Sequence, residues 1–249
     1  MVEPLLSIRE LVKRFGGVIA TNRVSLDVVP RETHALIGPN GAGKTTLISL
    51  LQGEKRADSG AIYFAGADIT ARPAHRRAQL GLARSFQITS VFPHFNALTN
   101  VLLAVQARDG HSFRFWQPAD QVEALRRPAR EALGVIGLAD RSEVMAGSLS
   151  YGELRQLELA MAIAMKPRLL LLDEPMAGMG RQDGLRMTGI LRDLKRSFTI
   201  LLVEHDMTAV FALADRVSVL VSGEIIATGS PDEIRCDPKV RAAYLGNCG

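Results

Sequence analysis

The sequence predicts an α/β protein built around a parallel β-sheet, and three observations lead to this class. Short apolar runs at 169–172 and 199–203 flank a helical stretch, which is the pattern of βαβ units. A third such run, 33–37, leads through a glycine-rich turn into a helix. Between 6 and 29, apolar and polar residues alternate, which predicts additional antiparallel strands.

Two further parts of the chain have their own character. Apolar residues recur at helical spacing over 99–106, 120–136 and 151–165, with no strand pattern between them, and predict a helical insert. The last part of the chain predicts a strand pair around Ser222-Gly223, followed by two short helices. We therefore expect one domain over 1–249.

The composition is that of an ordinary globular protein. Of 249 residues, 47% are hydrophobic and 22% charged, and the net charge is +4. Basic pairs such as Arg76-Arg77 are scattered along the chain, so we expect them on solvated helix faces. No window approaches the roughly 20 apolar residues of a membrane span. Cys236 and Cys248 lie near the chain end without metal-ligand spacing, which favours a reducing compartment.

The glycine-rich turn after the strand 33–37 fits a phosphate-binding loop. Glycines let consecutive backbone N–H groups converge on phosphate oxygens, and the following helix adds its positive end. A lysine in this loop bridges the β- and γ-phosphates and the next hydroxyl ligates Mg²⁺. The alternative is a structural turn with a stray cation. The predicted nucleotide ligands are Gly38, Pro39, Asn40, Gly41, Ala42, Gly43, Lys44, Thr45 and Thr46.

Two carboxylates end the apolar run 169–172. Ligands of open α/β sheets bind at the carboxyl ends of the parallel strands, so Asp173 is the predicted Mg²⁺ ligand alongside Thr45. Glu174 is the predicted general base, which orients the attacking water. The alternative is a strand that ends in two solvated acids.

The stretch Leu149-Ser150-Tyr151-Gly152-Glu153 opens the third helix of the insert. At about 20 residues before the Asp-Glu strand, it resembles the signature of ATP-binding cassette proteins. The resemblance extends over essentially the whole chain. It implies a P-loop NTPase cassette with a RecA-like parallel-sheet core (1–87 and 167–249), an N-terminal antiparallel β-subdomain, and a helical signature subdomain (88–166).

The resemblance also assigns single residues. Phe15 matches the aromatic residue that stacks on adenine, although a lone aromatic residue is also an ordinary core residue. Gln87 matches the glutamine that senses Mg²⁺ and the γ-phosphate, and His205 matches the switch histidine that contacts the γ-phosphate. A histidine after a buried strand is otherwise often structural. ATP and Mg²⁺ are the implied ligands.

In this family one nucleotide lies between the phosphate loop of one cassette and the signature of another. Ser150 and Gly152 are therefore expected to serve a partner's ATP. The implied partners are a second cassette, membrane permease subunits and, indirectly, a solute-binding protein, with no nucleic acid. The implied location is the cytoplasmic face of the cell (inner) membrane, with the chain bound peripherally.

Three stretches are similar to branched-chain amino-acid importer ATPases. They are 81–87, the Leu-Ser-Tyr-Gly variant of the signature, and the ending from Gly223 to Gly246. Importers of urea or amides and the lipopolysaccharide-export ATPase remain alternatives. The sequence of the stretch 81–87, which contains Gln87, disfavours the export ATPase. One position departs: Gly180 stands where the family has Asp or Asn that reaches across the dimer, which suggests a heterodimer with an unlike cassette.

The insert is expected to dock on the permease beside Gln87. Phe92, Phe95 and Leu98 are candidates for that contact, and the insert's own core is the alternative. Three other classes fit less well. A DNA-repair cassette protein needs a long coiled-coil insert, a translation factor carries two cassettes, and a small-molecule kinase lacks the signature.

Overall fold

The computed structural model describes residues 2–85, 91–109 and 123–245, which form two β-sheets with helices around them. Gln87 and Cys248 lie outside these ranges. The strands are β1 (Leu6–Phe15), β2 (Val18–Val28), β3 (Thr33–Ile37), β4 (Ser59–Phe64), β5 (Ala67–Asp68), β6 (Leu82–Ser85), β7 (Leu169–Asp173), β8 (Thr199–Val203), β9 (Arg216–Val221) and β10 (Glu224–Gly229). The helices are α1 (Lys44–Gln52), α2 (Ala74–Gln79), α3 (Ala97–Asp109), α4 (Glu123–Ile136), α5 (Tyr151–Ala164), α6 (Arg181–Leu194), α7 (Met207–Leu213), α8 (Pro231–Cys236) and α9 (Pro238–Val240).

The first sheet is antiparallel and has the strand order β2–β1–β4–β5. Its alternating pattern places Leu6, Ile8 and Leu11 in the core, where they pack with α1 and with one face of the second sheet. The predicted N-terminal antiparallel strands are confirmed.

The second sheet has the order β10–β9–β3–β8–β7–β6. Strands β9, β3, β8, β7 and β6 are parallel, and β10 closes the edge antiparallel to β9. All residues of β3, β7 and β8 are buried, as expected for strands with both faces covered. The predicted parallel core is confirmed, and β3 lies at its centre with β8 and β9 on either side.

Helices α3, α4 and α5 follow β6 and precede β7 in the chain, and they pack on one another. The periodic residues Leu125, Ala129 and Leu133 of α4 are buried, which confirms the helical insert. Leu98 is 4% exposed and belongs to the same core, so the prediction that it lies on a docking surface is wrong.

Arg77 corrects a second expectation, that basic pairs lie on solvated faces. Its guanidinium is buried, and Nη1 donates to the carbonyl oxygens of Leu50 and Leu51 at 2.7 Å each. These carbonyls lie in the last turn of α1, where backbone acceptors lack partners within the helix. The arginine therefore fixes the end of the helix that starts at the phosphate loop. None of the helices in the described ranges is long and apolar enough to span a bilayer.

Candidate nucleotide-binding site

The sheet order brings three of the predicted motifs to one edge. The glycine-rich loop follows β3, His205 follows β8, and Asp173 with Glu174 ends β7. Because β3, β8 and β7 are consecutive parallel neighbours, their carboxyl ends lie side by side. Residues more than 160 positions apart in sequence thus meet at the edge where open α/β sheets bind ligands.

The loop between β3 and α1 requires glycine at two positions, Gly38 and Gly43. A Cβ on Gly38 would overlap the carbonyl oxygen of Leu220, and one on Gly43 would overlap that of Ala20. The N–H of Gly223 also donates to the carbonyl of Ala42 at 2.9 Å. The loop is therefore held against β2 and the β9–β10 turn by backbone contacts.

The first turn of α1 has the features of an anion site. It contains no acidic residue, and among the described residues no side chain caps it. Asn40, Gly41 and Thr45 are exposed, while Thr46 is half-buried. The N–H groups at the start of α1 and the Thr45 hydroxyl are therefore open to a ligand.

Lys44 lies in the loop with its side chain folded back. Its Nζ donates to the carbonyl oxygens of Gly38 at 2.6 Å and Pro39 at 3.0 Å. Burial lowers the pKa of Lys44, while the charges of Glu174 and Asp173 act in the opposite direction. The ammonium thus lies within electrostatic reach of both acids at the end of β7.

Asp173 is buried, and its Oδ2 accepts a hydrogen bond from Arg84 Nη2 at 2.9 Å. Burial raises the pKa of Asp173, and the Arg84 guanidinium opposes this. Arg84 also donates to Gln52 and lies 3.3 Å from Glu54. The arginine therefore orients the carboxylate of Asp173 from the strand beside it, β6.

Glu174 has a left-handed backbone (φ 49°), which is strained for a residue with a side chain. Its N–H donates to the carbonyl of Val203 at 2.8 Å. The next loop brings His205 close, with Nδ1 at 3.9 Å from Glu174 Oε2. A buried carboxylate, Glu204, lies between the two loops, and its Oε2 is 3.6 Å from the same nitrogen.

Phe15 ends β1 and is 45% exposed, so it is not a core residue. The Nζ atoms of Lys13 and Lys55 each lie 5.5 Å from the centre of its ring. The exposed ring therefore lies beside two cations at the end of β1.

Ser150 and Gly152 lie at the start of α5, apart from the loops at the strand ends. Ser150 is the N-cap: its hydroxyl accepts from the N–H of Glu153, whose carboxylate accepts from the N–H of Ser150. A Cβ on Gly152 would contact the carboxylate of Asp183 in α6. The hydroxyl of Tyr151 donates to the carbonyl of Ala177 at 3.1 Å, which joins α5 to the loop after Glu174.

Sequence reasoning did not find three residues that support the site. Arg84 lies in the stretch 81–87, but local sequence assigns it no role because its partner Asp173 is 89 residues away. Glu204 directly precedes His205, and local sequence assigns it no role either. A charged residue within or next to a buried strand needs a partner, and this was the signal that both offered. Tyr151 offered none, because its acceptor is a backbone carbonyl.

Comparison with known proteins identifies the family of this chain. The sequence profile described as ABC transporter matches residues 21–177, and the profile described as branched-chain amino acid ATP-binding cassette transporter matches 224–247. The high-affinity branched-chain amino acid transport ATP-binding protein LivG of Escherichia coli (strain K12) is 38% identical, covering 99% of both chains. The lipopolysaccharide export system ATP-binding protein LptB of Acidithiobacillus ferridurans is 36% identical, covering 98% of this chain and 97% of its own.

Solved structures agree with the sequence comparison. A nucleotide-free ATP-binding cassette from an ABC transporter superposes with a TM-score of 0.86 at 29% identity, covering 98% of this chain and 100% of that one. The ADP conformation of an ATP-binding cassette of an ABC transporter gives a TM-score of 0.85 at 28% identity, covering 99% of this chain and 100% of its own. This coverage means that the fold corresponds over nearly the whole length of the chain.

Proposed function

The chain belongs to the ATP-binding cassette (ABC) transporter family, whose ATP-binding subunits hydrolyse ATP, and we propose which transport it drives. In this proposal it energises the uptake of branched-chain or related amino acids through a membrane permease. The observation that carries the solute class is the match of residues 224–247 to the branched-chain amino acid cassette profile. The importer relatives of 36–39% identity support the same class.

Each group at the sheet edge has a proposed task in hydrolysis. Lys44 leaves the carbonyls of Gly38 and Pro39 and binds the β- and γ-phosphates. Thr45 and Asp173 would hold Mg²⁺, which would offset charge on the phosphates. Their chemistry fits that ion, since one is an exposed hydroxyl and the other an oriented carboxylate.

Glu174 and His205 are the proposed groups for proton transfer and charge stabilisation. Glu174 takes the proton of the attacking water, and His205 donates a hydrogen bond to the γ-phosphate from the neighbouring loop. Gln87 lies outside the described ranges, and its proposed role as a sensor of Mg²⁺ and the γ-phosphate rests on the sequence resemblance alone. Phe15 is proposed to stack on the adenine.

The second nucleotide site requires another cassette. Ser150 and Gly152 begin a helix whose positive end suits a phosphate. We propose that they contact ATP held by the phosphate loop of the partner, and that closure on ATP drives transport. The core (1–87 and 167–249) and the helical subdomain (88–166) are the proposed moving parts.

The proposed contact with the permease is an aromatic pair at the start of the insert. Phe92 and Phe95 are 52% and 44% exposed, and their ring centres lie 5.7 Å apart. Exposed aromatic side chains of this size favour a protein interface. This docking places the chain on the cytoplasmic face of the membrane.

Two substitutions test the catalytic part. Lys44→Ala removes the only side-chain cation of the phosphate loop and should abolish ATP binding or hydrolysis. Glu174→Gln should bind ATP and hydrolyse it about 10² to 10⁴ times more slowly. Matched controls are Lys239→Ala and Glu131→Gln, which change exposed residues of α9 and α4. Normal turnover in either test variant would disprove the assignment of that residue.

A transport assay tests the solute. Cells whose only copy of the chain carries Glu174→Gln should lose uptake of labelled leucine or isoleucine, compared with cells carrying Glu131→Gln. Loss of urea uptake alone would move the assignment to an amide importer. Normal uptake of leucine, isoleucine and urea together with altered lipopolysaccharide export would overturn the importer proposal. Export is measured because one relative of 36% identity is a lipopolysaccharide export ATP-binding protein.

A further inference from the structure

Glu204 is a buried carboxylate with no task in the reaction described above. It follows β8 directly and is 1% exposed. Burying an ionisable group is unfavourable unless it is hydrogen-bonded or paired, so its position requires an explanation. Its neighbours supply one, because they belong to two different loops.

Both oxygens of Glu204 accept hydrogen bonds from the backbone. Oε1 accepts from the N–H of Met176 at 3.1 Å, in the loop after β7. Oε2 accepts from the N–H groups of His205 at 3.0 Å and Asp206 at 3.5 Å, in its own loop. Hydrogen bonds to a charged acceptor are about twice as strong as neutral ones. The carboxylate therefore joins the two loops through their backbones.

The residues that these loops carry are the two predicted catalytic groups. Glu174 lies two residues before Met176, and its left-handed backbone needs support from the loop that holds it. His205 directly follows Glu204. The distance of 3.9 Å between His205 Nδ1 and Glu174 Oε2 depends on the relative placement of the two loops.

We propose that Glu204 is a positioning residue that holds the loop of Glu174 and the loop of His205 in one arrangement. The proposal rests on the function proposed above. Glu204 does not act as the base itself, since both of its oxygens are engaged by backbone N–H groups. It acts through the residues that it fixes.

The test compares Glu204→Gln with Glu32→Gln. Glu32 is also a buried carboxylate that accepts a backbone hydrogen bond, from Val29 at 2.7 Å, but it precedes β3 at the opposite edge of the sheet. Both variants keep the side-chain shape, and both are expected to lower thermal stability. Only Glu204→Gln turns an NH₂ group toward backbone donors next to the catalytic loops.

The expected result is a split between catalysis and binding. In Glu204→Gln, kcat for ATP should fall by about 10- to 100-fold, the effect of a misplacement of about 1 Å. The Kd for ADP, which needs neither loop, should stay within about twofold of wild type, and Glu32→Gln should keep both values. An unchanged kcat in a folded Glu204→Gln protein would overturn the proposal.

A double-mutant cycle with His205→Ala tests whether the two residues act as a unit. If Glu204 acts through His205, Glu204→Gln should lower kcat much less in the His205→Ala background than in wild type. Two independent, multiplying effects would count against the proposal. If Glu204→Gln does not fold, Glu204→Asp replaces it, and its shorter carboxylate should give a smaller fall in kcat with unchanged ADP binding.

Lys44→Ala and Glu174→Gln are measured in the same series. If these two lose activity while Glu204→Gln does not, the positioning role alone is wrong. If Lys44→Ala and Glu174→Gln keep their ATPase activity, the proposed catalytic roles are wrong, and the positioning role of Glu204 that rests on them is wrong too.

Discussion

At the scale of single residues, Asp173 shows how a buried acid is kept ready for a cation. Burial raises its pKa, and the guanidinium of Arg84, 2.9 Å away, counteracts that by favouring the ionised form. Arg84 is itself fixed by Gln52 and by Glu54 at the end of α1. The carboxylate that we propose as a Mg²⁺ ligand is therefore oriented by Arg84, from the neighbouring strand.

Arg84→Met should weaken the response to Mg²⁺ without removing a ligand. Loss of an outer partner of a metal ligand typically costs 10- to 100-fold in metal affinity. We therefore expect the Mg²⁺ concentration for half-maximal ATP hydrolysis to rise by about tenfold or more. Arg127→Met, which breaks an exposed pair with Glu131, is the control. Identical Mg²⁺ titrations of both variants would show that Arg84 does not orient Asp173.

At the scale of elements, one side chain at the N-terminus of α5 has a structural role and a proposed functional one. The Ser150 hydroxyl caps the helix through a capping box with Glu153. The same box occurs at α8, where Ser230 pairs with Glu233. The described residues thus include two equivalent caps, at α5 and α8, and the cap at α5 belongs to the signature stretch.

This pair separates the two roles of Ser150. Ser150→Ala and Ser230→Ala should each cost about 1 kcal/mol in the free energy of unfolding, because each removes the same cap. Only Ser150→Ala should also lower ATP hydrolysis by the assembled transporter, if the hydroxyl contacts a partner's nucleotide as we propose. Chemical denaturation and ATPase assays of both variants make the comparison. Equal ATPase activity of the Ser150→Ala and Ser230→Ala proteins would show that Ser150 acts only as a helix cap.

At the scale of the whole molecule, Gly180 bears on the choice of partner. It is exposed, and it has no side chain to reach across a dimer interface. The adjoining loop is instead joined to its own α5 by the Tyr151–Ala177 hydrogen bond. We expect the second cassette of the complex to be an unlike chain that supplies the contact.

Affinity purification of the tagged chain from detergent-solubilised membranes checks this. Mass spectrometry should find polytopic permease subunits and a sister cassette of different sequence. A permease complex that contains two copies of this chain would contradict the heterodimer. Soluble partners alone, with intact ATP binding, would contradict the transporter assembly.

Much of this architecture follows from local sequence. Runs such as 33–37 and 199–203 match β3 and β8 residue for residue, because strands with both faces covered are mostly apolar. Helix α5 likewise follows from its cap and its apolar residues. These elements carry their signal within a few consecutive positions.

The parts that sequence reasoning missed depend on distant partners. Strand β6 contains Arg84 and Ser85, and it forms because β7 offers a parallel neighbour. Arg77 is buried because α1 presents carbonyls that need a donor. The link from Glu204 to Met176 spans 28 residues and involves a backbone N–H that leaves no trace in side-chain identity. Such features become visible once the loops are placed in space.

The central position of β3 also governs when the site can form during synthesis. Its two neighbours in the sheet, β8 and β9, begin at Thr199 and Arg216. The ribosome must therefore add about 160 residues after the phosphate loop before either neighbour exists, which takes on the order of 10 to 30 s. Until then β3 has neither neighbour to hold the start of the loop in place, so we expect a nascent or truncated chain that ends before β8 not to hydrolyse ATP.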